Sequence, residues 1–494
     1  MVLCVNCSEK DRVSCRKSTS KRASYTPPFT TGRHRIRLRK VRRAPMKTKW
    51  ELSDGVDRSL MESLLPDEGE VIKQSPAKSV ARHEIEGESF YVKRSRHSVF
   101  PLRPQKYWFK ECPARWEWRV AGAMQALGIS VVEHLAFCET WSLTGLQEDI
   151  LITRGFDGQP LHLVEGVDAQ LVVEFVNRCH EKGMVHGDLH PANILINPTT
   201  GGLRLADLKG VRIEKQPDRA KQNEDLAYLN IDFPMPLSPE LLRLSDGMRR
   251  KKMAVRSRRC LKNNREFGPQ THGLAKCWVR KPKANEALGH VLVALDSALA
   301  GEALLKAGRT STVGQRGNFV VKRYNFKKPL NLLKDFFRPT KARRAFQLGY
   351  HLELVNVRTP AVIAVAEHRP LGLALRSYLV MEKIESAIVL AEAAQDDPRL
   401  AKRLAKLIGR MHAEGFTHRD LKASNVLVDG QGEPWLIDLD GLSFSGDVSA
   451  QAAVSNLKRL ERGLSGKPLD TVANRLRFFR EYCRATGFRP SVLR

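Results

Sequence analysis

Long apolar runs are missing from this sequence. No uninterrupted stretch approaches the roughly 20 apolar residues that a membrane-spanning helix needs. The best candidate, residues 288–305, is interrupted by Asp296 and Glu302. The start of the chain also lacks the apolar stretch of a secretory signal. We therefore expect a soluble, cytoplasmic protein rather than an integral membrane protein or an exported one.

Cysteine is sparse and scattered. The chain has nine cysteines among 494 residues, unlike the dense pattern of a small secreted domain held by disulfides. Cys4 and Cys7 form a C-x2-C pair and Cys15 follows, but His34 is too far downstream to complete a site with zinc-ligand spacing. We expect free thiols and no structural zinc.

Acidic residues are too few to balance the basic ones, at 54 against 83, which gives a net charge of +29. The excess is confined to two segments. Residues 1–50 hold 15 lysines and arginines against two acidic residues, and residues 249–283 hold 13 against Glu266 alone. Such blocks are typical of solvated tails and linkers. The alternatives are attraction to anionic membrane lipid and, less favoured, to nucleic acid.

An internal repeat divides the chain, which is long enough for two or three domains. Short motifs recur at a nearly constant separation along the chain, which indicates a duplicated domain. They are ARWEWRV at 114–120 and ARRAFQL at 342–348, FYVKR at 90–94 and VVKRY at 320–324, HGDLHPANILI at 186–196 and HRDLKASNVLV at 418–428, and RLADLKGV at 204–211 and WLIDLDGL at 435–442.

The repeat sets the expected domain boundaries. We predict a first domain over 60–248 and a second over 290–494. Between them, residues 249–283 are expected to be a poorly ordered basic linker that attracts anionic membrane. Residues 1–50 are expected to be disordered or to precede the true start of translation at Met46.

The residues around each HxD motif predict a helix, a loop and a pair of strands. Before each motif, apolar residues recur at helical spacing until Gly183 in the first copy and Gly415 in the second. After each motif come a short β-branched run, a glycine-containing turn and a second apolar strand. That strand ends at Asp207 in the first copy and at Asp438 in the second.

The pattern HxDxxxxN is typical of phosphoryl transfer from ATP. In this pattern the aspartate accepts the proton of the acceptor hydroxyl and the asparagine ligates a metal ion. We therefore assign the catalytic-base role to Asp188 and Asp420. The expected metal is Mg²⁺, which prefers oxygen ligands and needs few of them from the protein. Its expected ligands are Asn193, Asp207, Asn425 and Asp438.

The residues that bind ATP are expected mainly upstream of these loops. Lys93 and Lys322 end β-type runs and would hold the α- and β-phosphates, and Glu117 on a predicted helix would pair with Lys93. The second copy also has AGRTSTVGQRG at 307–317, where a loop that covers the phosphates belongs. The remaining predicted ATP-binding residues are Gly308, Gly314 and Lys422.

At these residues the chain resembles the lipopolysaccharide kinase family of Kdo/WaaP type, a branch of the protein-kinase-like superfamily. The resemblance covers roughly 70–245 and 295–490. It is closest in the second copy, through VVKRYN at 320–325, KARRAF at 341–346, HRDLKASNVLV, IDLDGL at 437–442 and RLRFFREY at 475–482.

The resemblance implies a fold and a reaction. The implied fold is α+β, with two tandem bilobal protein-kinase-like domains, each with an antiparallel β N-lobe and a mainly helical C-lobe. The implied cofactors are ATP and Mg²⁺. The implied acceptor is a sugar hydroxyl of the lipopolysaccharide core, which would be phosphorylated at the inner face of the cytoplasmic membrane.

The two copies depart from each other at the lysine. The register that gives Glu117 in the first copy gives Ala345 in the second. Lys322 is therefore expected to lack the usual ion-pair partner on the helix, unless Glu353 replaces it. ATP is expected to bind the second copy more weakly for the same reason.

Three functions stay open. The leading one is an ATP-dependent kinase for a carbohydrate or a lipid-linked sugar. The second is a protein or small-molecule kinase, which the HRDLK form at 418–422 resembles. The third is a tandem pseudokinase scaffold tethered by its basic segments. The second copy is favoured as the active one, although Asp440 there corresponds to Lys209 in the first copy.

Overall fold

The structure, a computed structural model, describes residues 46–66, 68–97, 104–216, 218–325, 338–369, 376–393 and 397–493. The three N-terminal cysteines, His34 and most of the first basic segment lie outside these residues. Within the described ranges, antiparallel sheets alternate along the chain with groups of helices. This confirms the mixed helix and sheet content expected from the sequence.

The first half of the chain opens with a six-stranded antiparallel sheet in the order β1-β5-β6-β4-β3-β2. Along β4, Phe90 and Val92 point into a buried core with Met61 and Leu64, so Lys93 points to the opposite face. The elements are β1 Lys47–Leu52, α1 Arg58–Ser63, β2 Glu70–Ser75, β3 Lys78–Ile85, β4 Glu88–Arg96, β5 His134–Ser142 and β6 Gly145–Arg154.

Helices and short strand pairs complete the first half. Helix α3 buries Val172, Phe175 and Val176, which recur at helical spacing, against the strands that follow it. The elements are α2 Pro113–Ala126, β7 Gln159–Pro160, α3 Ala169–Glu181, β8 Met184–Val185, β9 Ile194–Ile196, β10 Leu203–Leu205, β11 Arg212–Ile213, α4 Arg219–Asn230 and α5 Pro239–Ser257.

The second half opens with a seven-stranded sheet in the order β12-β13-β17-β18-β16-β15-β14. Six of these strands follow the order of the first sheet, and β12 is an additional strand at the edge beside β13. The elements are β12 Phe267–His272, β13 Ala275–Arg280, α6 Glu286–Val293, β14 Leu304–Ala307, β15 Ser311–Arg316, β16 Phe319–Tyr324, β17 Val362–His368 and β18 Arg376–Glu382.

The helices of the second half enclose its largest core. The apolar face predicted before the second HxD motif lies on α8, where Leu400, Leu404 and Met411 are buried. The elements are α7 Lys341–Leu354, β19 Ile388–Val389, α8 Pro398–Ala413, β20 Phe416–His418, β21 Val426–Val428, β22 Pro434–Leu436, β23 Leu442–Phe444, α9 Ala450–Leu464 and α10 Val472–Thr486.

Residues 249–283 are not a poorly ordered linker, which corrects the expectation from the sequence. They contain the end of α5 and the hairpin of β12 and β13, and β13 pairs with β17. Phe267, Cys277 and Val279 are buried, so the segment supplies core residues despite its charge. Along β13, the exposed Lys276 and the partly buried Arg280 alternate with the buried Ala275, Cys277 and Val279, so counting charge alone did not reveal the strand.

The basic residues of α5 pair with acidic residues of both halves. Arg249 lies 2.9 Å from the buried carboxylate of Glu414, and Arg250 lies 2.7 Å from Asp447. Lys252 pairs with Asp232 at 2.6 Å. These contacts place α5 against the second half, where it also packs on α7. The expected boundaries at 248 and 290 therefore cut through folded structure.

The N-terminal boundary also moves. Strand β1 begins at Lys47 and pairs with β5 over its whole length, so residues 47–50 belong to the first sheet rather than to a tail.

In the described ranges, no helix is both long enough and apolar enough to cross a membrane. The six cysteines that the structure describes are all free thiols, and five of them are buried.

Candidate active site

The first half brings four predicted or neighbouring residues together between its sheet and its helices. Lys93 of β4 donates to Glu117 of α2, with Nζ to Oε1 at 2.7 Å. The same ammonium group lies 2.8 Å from Oδ1 of Asp207. Lys209 lies 2.9 Å from Oδ2 of Asp207. Both carboxylate oxygens of Asp207 are therefore held by lysines.

The second half holds its lysine differently. Lys322 of β16 lies 2.6 Å from Oδ1 of Asp438 and 2.9 Å from Oδ2 of Asp440. The hydroxyl of Tyr324 donates to Oδ1 of Asp440 at 2.7 Å. As expected, the helix offers Lys322 no carboxylate, because Ala345 stands at that position. Two carboxylates from the loop, those of Asp438 and Asp440, contact the lysine instead.

Glu353 is not the replacement that the sequence suggested. Its carboxylate pairs with Arg280 at 2.6 Å and accepts from the backbone N–H of Val362 at 3.0 Å. Glu353 therefore fixes α7 to β13 and β17 instead of contacting the lysine.

Asp207, which follows β10, and Asp438, which follows β22, share an unusual backbone conformation. Asp207 has φ of +53° and Asp438 has φ of +61°, both in the left-handed region. Non-glycine residues adopt this region at a cost of about 1 kcal/mol or more. In each half this conformation turns the aspartate toward the lysine of the sheet.

Each HxD loop is closed by its own asparagine. Asn193 donates its side-chain N–H to the backbone oxygen of Asp188 at 3.0 Å. Asn425 makes the same contact with Asp420 at 2.8 Å. Lys422 lies 2.9 Å from Oδ2 of Asp420.

Two further residues support the loops and were missed from the sequence. Buried Asp225 of α4 accepts from the backbone N–H groups of His186 and Gly187 at 2.6 and 2.8 Å. In the second half, Asn456 of α9 accepts from the backbone N–H of His418 at 2.8 Å. The separation of Asp225 from Asn456 along the chain equals that of the repeated Asp207 and Asp438. This equality was the available signal.

The charges of the first site are strongly coupled. Burial opposes the charged form of Lys93, but Glu117 and Asp207 outweigh it and raise the pKa of Lys93. Burial raises the pKa of Glu117, although Lys93 acts in the opposite direction. Burial would also raise the pKa of Asp207, but Lys93 and Lys209 hold it well below its usual range.

In the second site, too, neighbouring groups of opposite charge outweigh the effect of burial on the pKa values, but the groups are different. Burial opposes the charged form of Lys322, yet Asp440 and Asp438 raise its pKa. The pKa of Asp438 is lowered because Lys322 outweighs the opposing effect of burial. The ammonium group of Lys322 therefore stays charged between Asp438 and Asp440.

The two predicted glycines lie in different places. Gly308 is at the bend between β14 and β15, where its carbonyl accepts from the side chain of Asn325 at 2.7 Å. Gly314 lies inside β15 opposite Val321, on the face away from Lys322. A Cβ atom at Gly314 would lie 1.8 Å from the carbonyl oxygen of Ala298. Gly314 therefore allows close packing and does not reach the lysine.

Residues 294–482 match the model of the lipopolysaccharide kinase (Kdo/WaaP) family. Among curated proteins, the chain is 37% identical over 130 residues to a 3-deoxy-D-manno-octulosonic acid kinase of Stenotrophomonas maltophilia. This match covers 25% of this chain and 50% of the relative. The chain is also 34% identical over 127 residues to the enzyme of the same name from Vibrio cholerae. That match covers 25% of this chain and 52% of the relative.

Among solved structures, the bifunctional kinase-methyltransferase WbdD matches with 16% identity and a TM-score of 0.24, over 38% of this chain and 44% of that one. So low a score does not establish a common fold. The chain spans about half the length of the curated relatives it matches. The comparisons thus relate residues 294–482, which carry the second site, to a family of lipopolysaccharide kinases.

Proposed function

We propose that this protein is an ATP-dependent kinase that phosphorylates a hydroxyl group of a carbohydrate or lipid-linked sugar, of lipopolysaccharide core type. The second half would perform the reaction. The observation that carries the proposal is the grouping of Lys322, Asp438, Asn425 and Asp420 inside the segment that the family model matches. Relatives named for a kinase reaction on a sugar acid support a sugar acceptor.

The roles follow from the contacts. Lys322, kept charged by its carboxylate neighbours, would neutralise the phosphates of ATP. Asp420 is exposed near the start of the HxD loop, two residues after β20, where it would accept the proton of the acceptor hydroxyl. Lys422, paired with Asp420, would stabilise charge on the phosphoryl group as it leaves ATP. Asn456 would hold the loop in position through its hydrogen bond from the backbone N–H of His418.

The donor set of the second site fits magnesium. Asp438 offers a carboxylate and Asn425 an amide oxygen, which are ligands that Mg²⁺ accepts. In the described ranges there is no group of three or more His, Cys, Asp or Glu that could hold a metal. Most of the coordination would therefore come from ATP phosphates and water. When bound, the ion would neutralise the charge that develops during transfer.

We also infer that the two halves are copies of one kinase-like fold. Equivalent strands follow the same order in both sheets. Ion pairs with a buried glutamate recur at the spacing of the repeat, as Arg115 with Glu139 and Arg343 with Glu367. In the first copy, Lys209 occupies the second oxygen of Asp207. This contact would compete with a metal ion, which supports the second copy as the catalytic one.

The decisive experiment measures transfer from labelled ATP by the purified full chain. The acceptors to compare are a lipid-linked sugar acid, a generic protein and a free sugar. We expect labelling of the sugar acceptor, lost in Asp420→Asn and kept in Asp188→Asn. Labelling of protein alone would favour the protein-kinase alternative. Absence of transfer to every acceptor, with wild type and variants alike, would favour the scaffold.

Peripheral contact with an anionic membrane is a further part of the proposal. Arg249, Arg250 and Lys252 pair with acidic groups of the chain itself, and Lys251 is exposed. Attraction of ~1 kcal/mol per basic residue near an anionic surface would therefore be expected mainly from Lys251 and other exposed cations. Vesicle sedimentation with and without acidic lipid tests this, and equal binding to both would contradict it.

A further inference from the structure

The lysines of the two sites are anchored from different directions. Lys93 receives a carboxylate from a helix, since Glu117 lies on α2. The corresponding position on α7 is Ala345, which is buried and carries no polar group. Lys322 instead receives its additional carboxylate from the loop that carries Asp438, through Asp440.

The two sites differ in charge at two positions, one on the helix and one on the loop, and the acidic residue stands at the opposite position in each site. In the first site the helix position is acidic and the loop position is basic, with Glu117 and Lys209. In the second site the helix position is neutral and the loop position is acidic, with Ala345 and Asp440. Each lysine thus contacts two carboxylates. One comes from the aspartate after the strand pair in both sites, whereas the other comes from a helix in the first site and from the loop in the second.

We propose that Asp440 is the positioning residue of the second site, which holds Lys322 in place of the missing helix glutamate and is itself oriented by Tyr324. This inference rests on the proposed function, because it concerns the lysine that would contact ATP. It assigns a role to a residue for which the sequence offered only a mismatch with Lys209.

The geometry distinguishes Asp440 from a second metal ligand. Both of its oxygens are engaged, Oδ2 by Lys322 and Oδ1 by the hydroxyl of Tyr324. Tyr324 is 7% exposed and stands two residues after Lys322, so both side chains leave the same face of β16. A hydrogen bond from a buried hydroxyl fixes the carboxylate toward the lysine, as outer groups orient functional ligands elsewhere.

The arrangement also has a consequence for binding. Asp438 would be drawn to the metal when Mg²⁺ and ATP bind, because a divalent cation attracts the carboxylate more strongly than an ammonium group. Asp440 would then be the carboxylate that remains on Lys322. A lysine with a flexible four-carbon stem loses its preferred position without such a partner.

The test uses full-length variants with rescue. Asp440→Asn is expected to lower kcat/KM for ATP by about 10- to 100-fold, by analogy with the loss of residues that orient metal ligands. Adding Ala345→Glu to this variant restores a carboxylate from the helix side and should recover most of the loss. Exposed Asp54→Asn is the matched control and should behave as wild type. Thermal melting checks that each variant is folded.

Three results would overturn the proposal. The first is wild-type kinetics of Asp440→Asn when Lys322→Ala is inactive. The second is recovery of Asp440→Asn by excess Mg²⁺ alone, which would make Asp440 a metal ligand. The third is a folded double variant with no recovery. If wild type transfers no phosphate at all, calorimetry of Mg-ATP binding still decides: weaker binding by Asp440→Asn and recovery by Ala345→Glu would support the positioning role even though the proposed function fails.

Discussion

Phe267 offers a direct test of whether the basic segment is part of the second folded half. Its ring is 1% exposed and makes edge-on contacts with Phe346 at 5.8 Å and Tyr350 at 4.8 Å between centroids. The guanidinium of Arg280 lies over the same ring at 5.8 Å. These contacts join β12 to α7 inside the largest core.

The expected cost of Phe267→Ala follows from those contacts. Removing a buried phenylalanine costs about 3–5 kcal/mol, which includes the loss of aromatic pairs at roughly 0.5–1.5 kcal/mol. For a body of some 200 residues, each kcal/mol lowers the midpoint of thermal unfolding by about 2–4 °C. The transition of the second half should therefore fall by about 6–20 °C.

Thermal unfolding of the full chain, followed by circular dichroism, gives the first measurement. Hydrogen exchange of the backbone amides in β12 and β13 gives the second, because the strands should lose protection together with α7. Leu274→Ala is the control, since Leu274 lies in the turn of the same hairpin and is 90% exposed. If Phe267→Ala melts like the control, residues 249–283 are a linker after all and the assignment of β12 to the core is wrong.

Three other variants test the remaining steps. Asp420→Asn should lower kcat by ~10²–10⁴-fold with little change in ATP affinity, and a turnover equal to wild type would remove Asp420 from the chemistry. Arg249→Ala should destabilise the chain by about 1–3 kcal/mol because it leaves the buried Glu414 poorly paired, and urea unfolding measures this. His351 is buried between two aromatic rings, and burial lowers its pKa to about 4. Because the unfolded chain binds the proton more readily, this histidine costs stability as the pH falls from about 6.5 to about 4. His351→Leu should weaken that pH dependence, and an unchanged slope would contradict a neutral buried imidazole.

The sequence predicted residues that act over short distances within a motif. Spacing along the chain placed Asp188 with Asn193, and Asp420 with Asn425, in one loop, and the structure shows a side-chain to backbone contact within each pair that was not predicted. The pair of Lys93 with Glu117 was also proposed, because phosphoryl transfer of this type uses a lysine of a strand paired with a glutamate of a helix.

Other contacts could not be read in the same way. Asp440 is far from Lys322 along the chain, and only the position of β16 beside the loop makes their contact possible. The basic segment was misjudged because its charge was counted without regard to the alternation of buried and less buried residues along β13. A tryptophan repeat was the overlooked signal, since Trp50 on β1 and Trp278 on β13 are separated by the same interval as the repeated ARWEWRV and ARRAFQL motifs.

At Asp207 and Asp438 the left-handed backbone conformation and the side-chain carboxylate make opposite demands on the residue type. Glycine adopts this conformation without strain, but Asp→Gly also removes a carboxylate that compensates the charge on the lysine of the sheet. A library scored for abundance would show whether relief of the backbone strain or loss of the ion pair with the lysine has the larger effect on stability. A library scored for phosphate transfer would reject glycine at Asp438, and the tolerance at Asp207 would report how far the first copy still takes part.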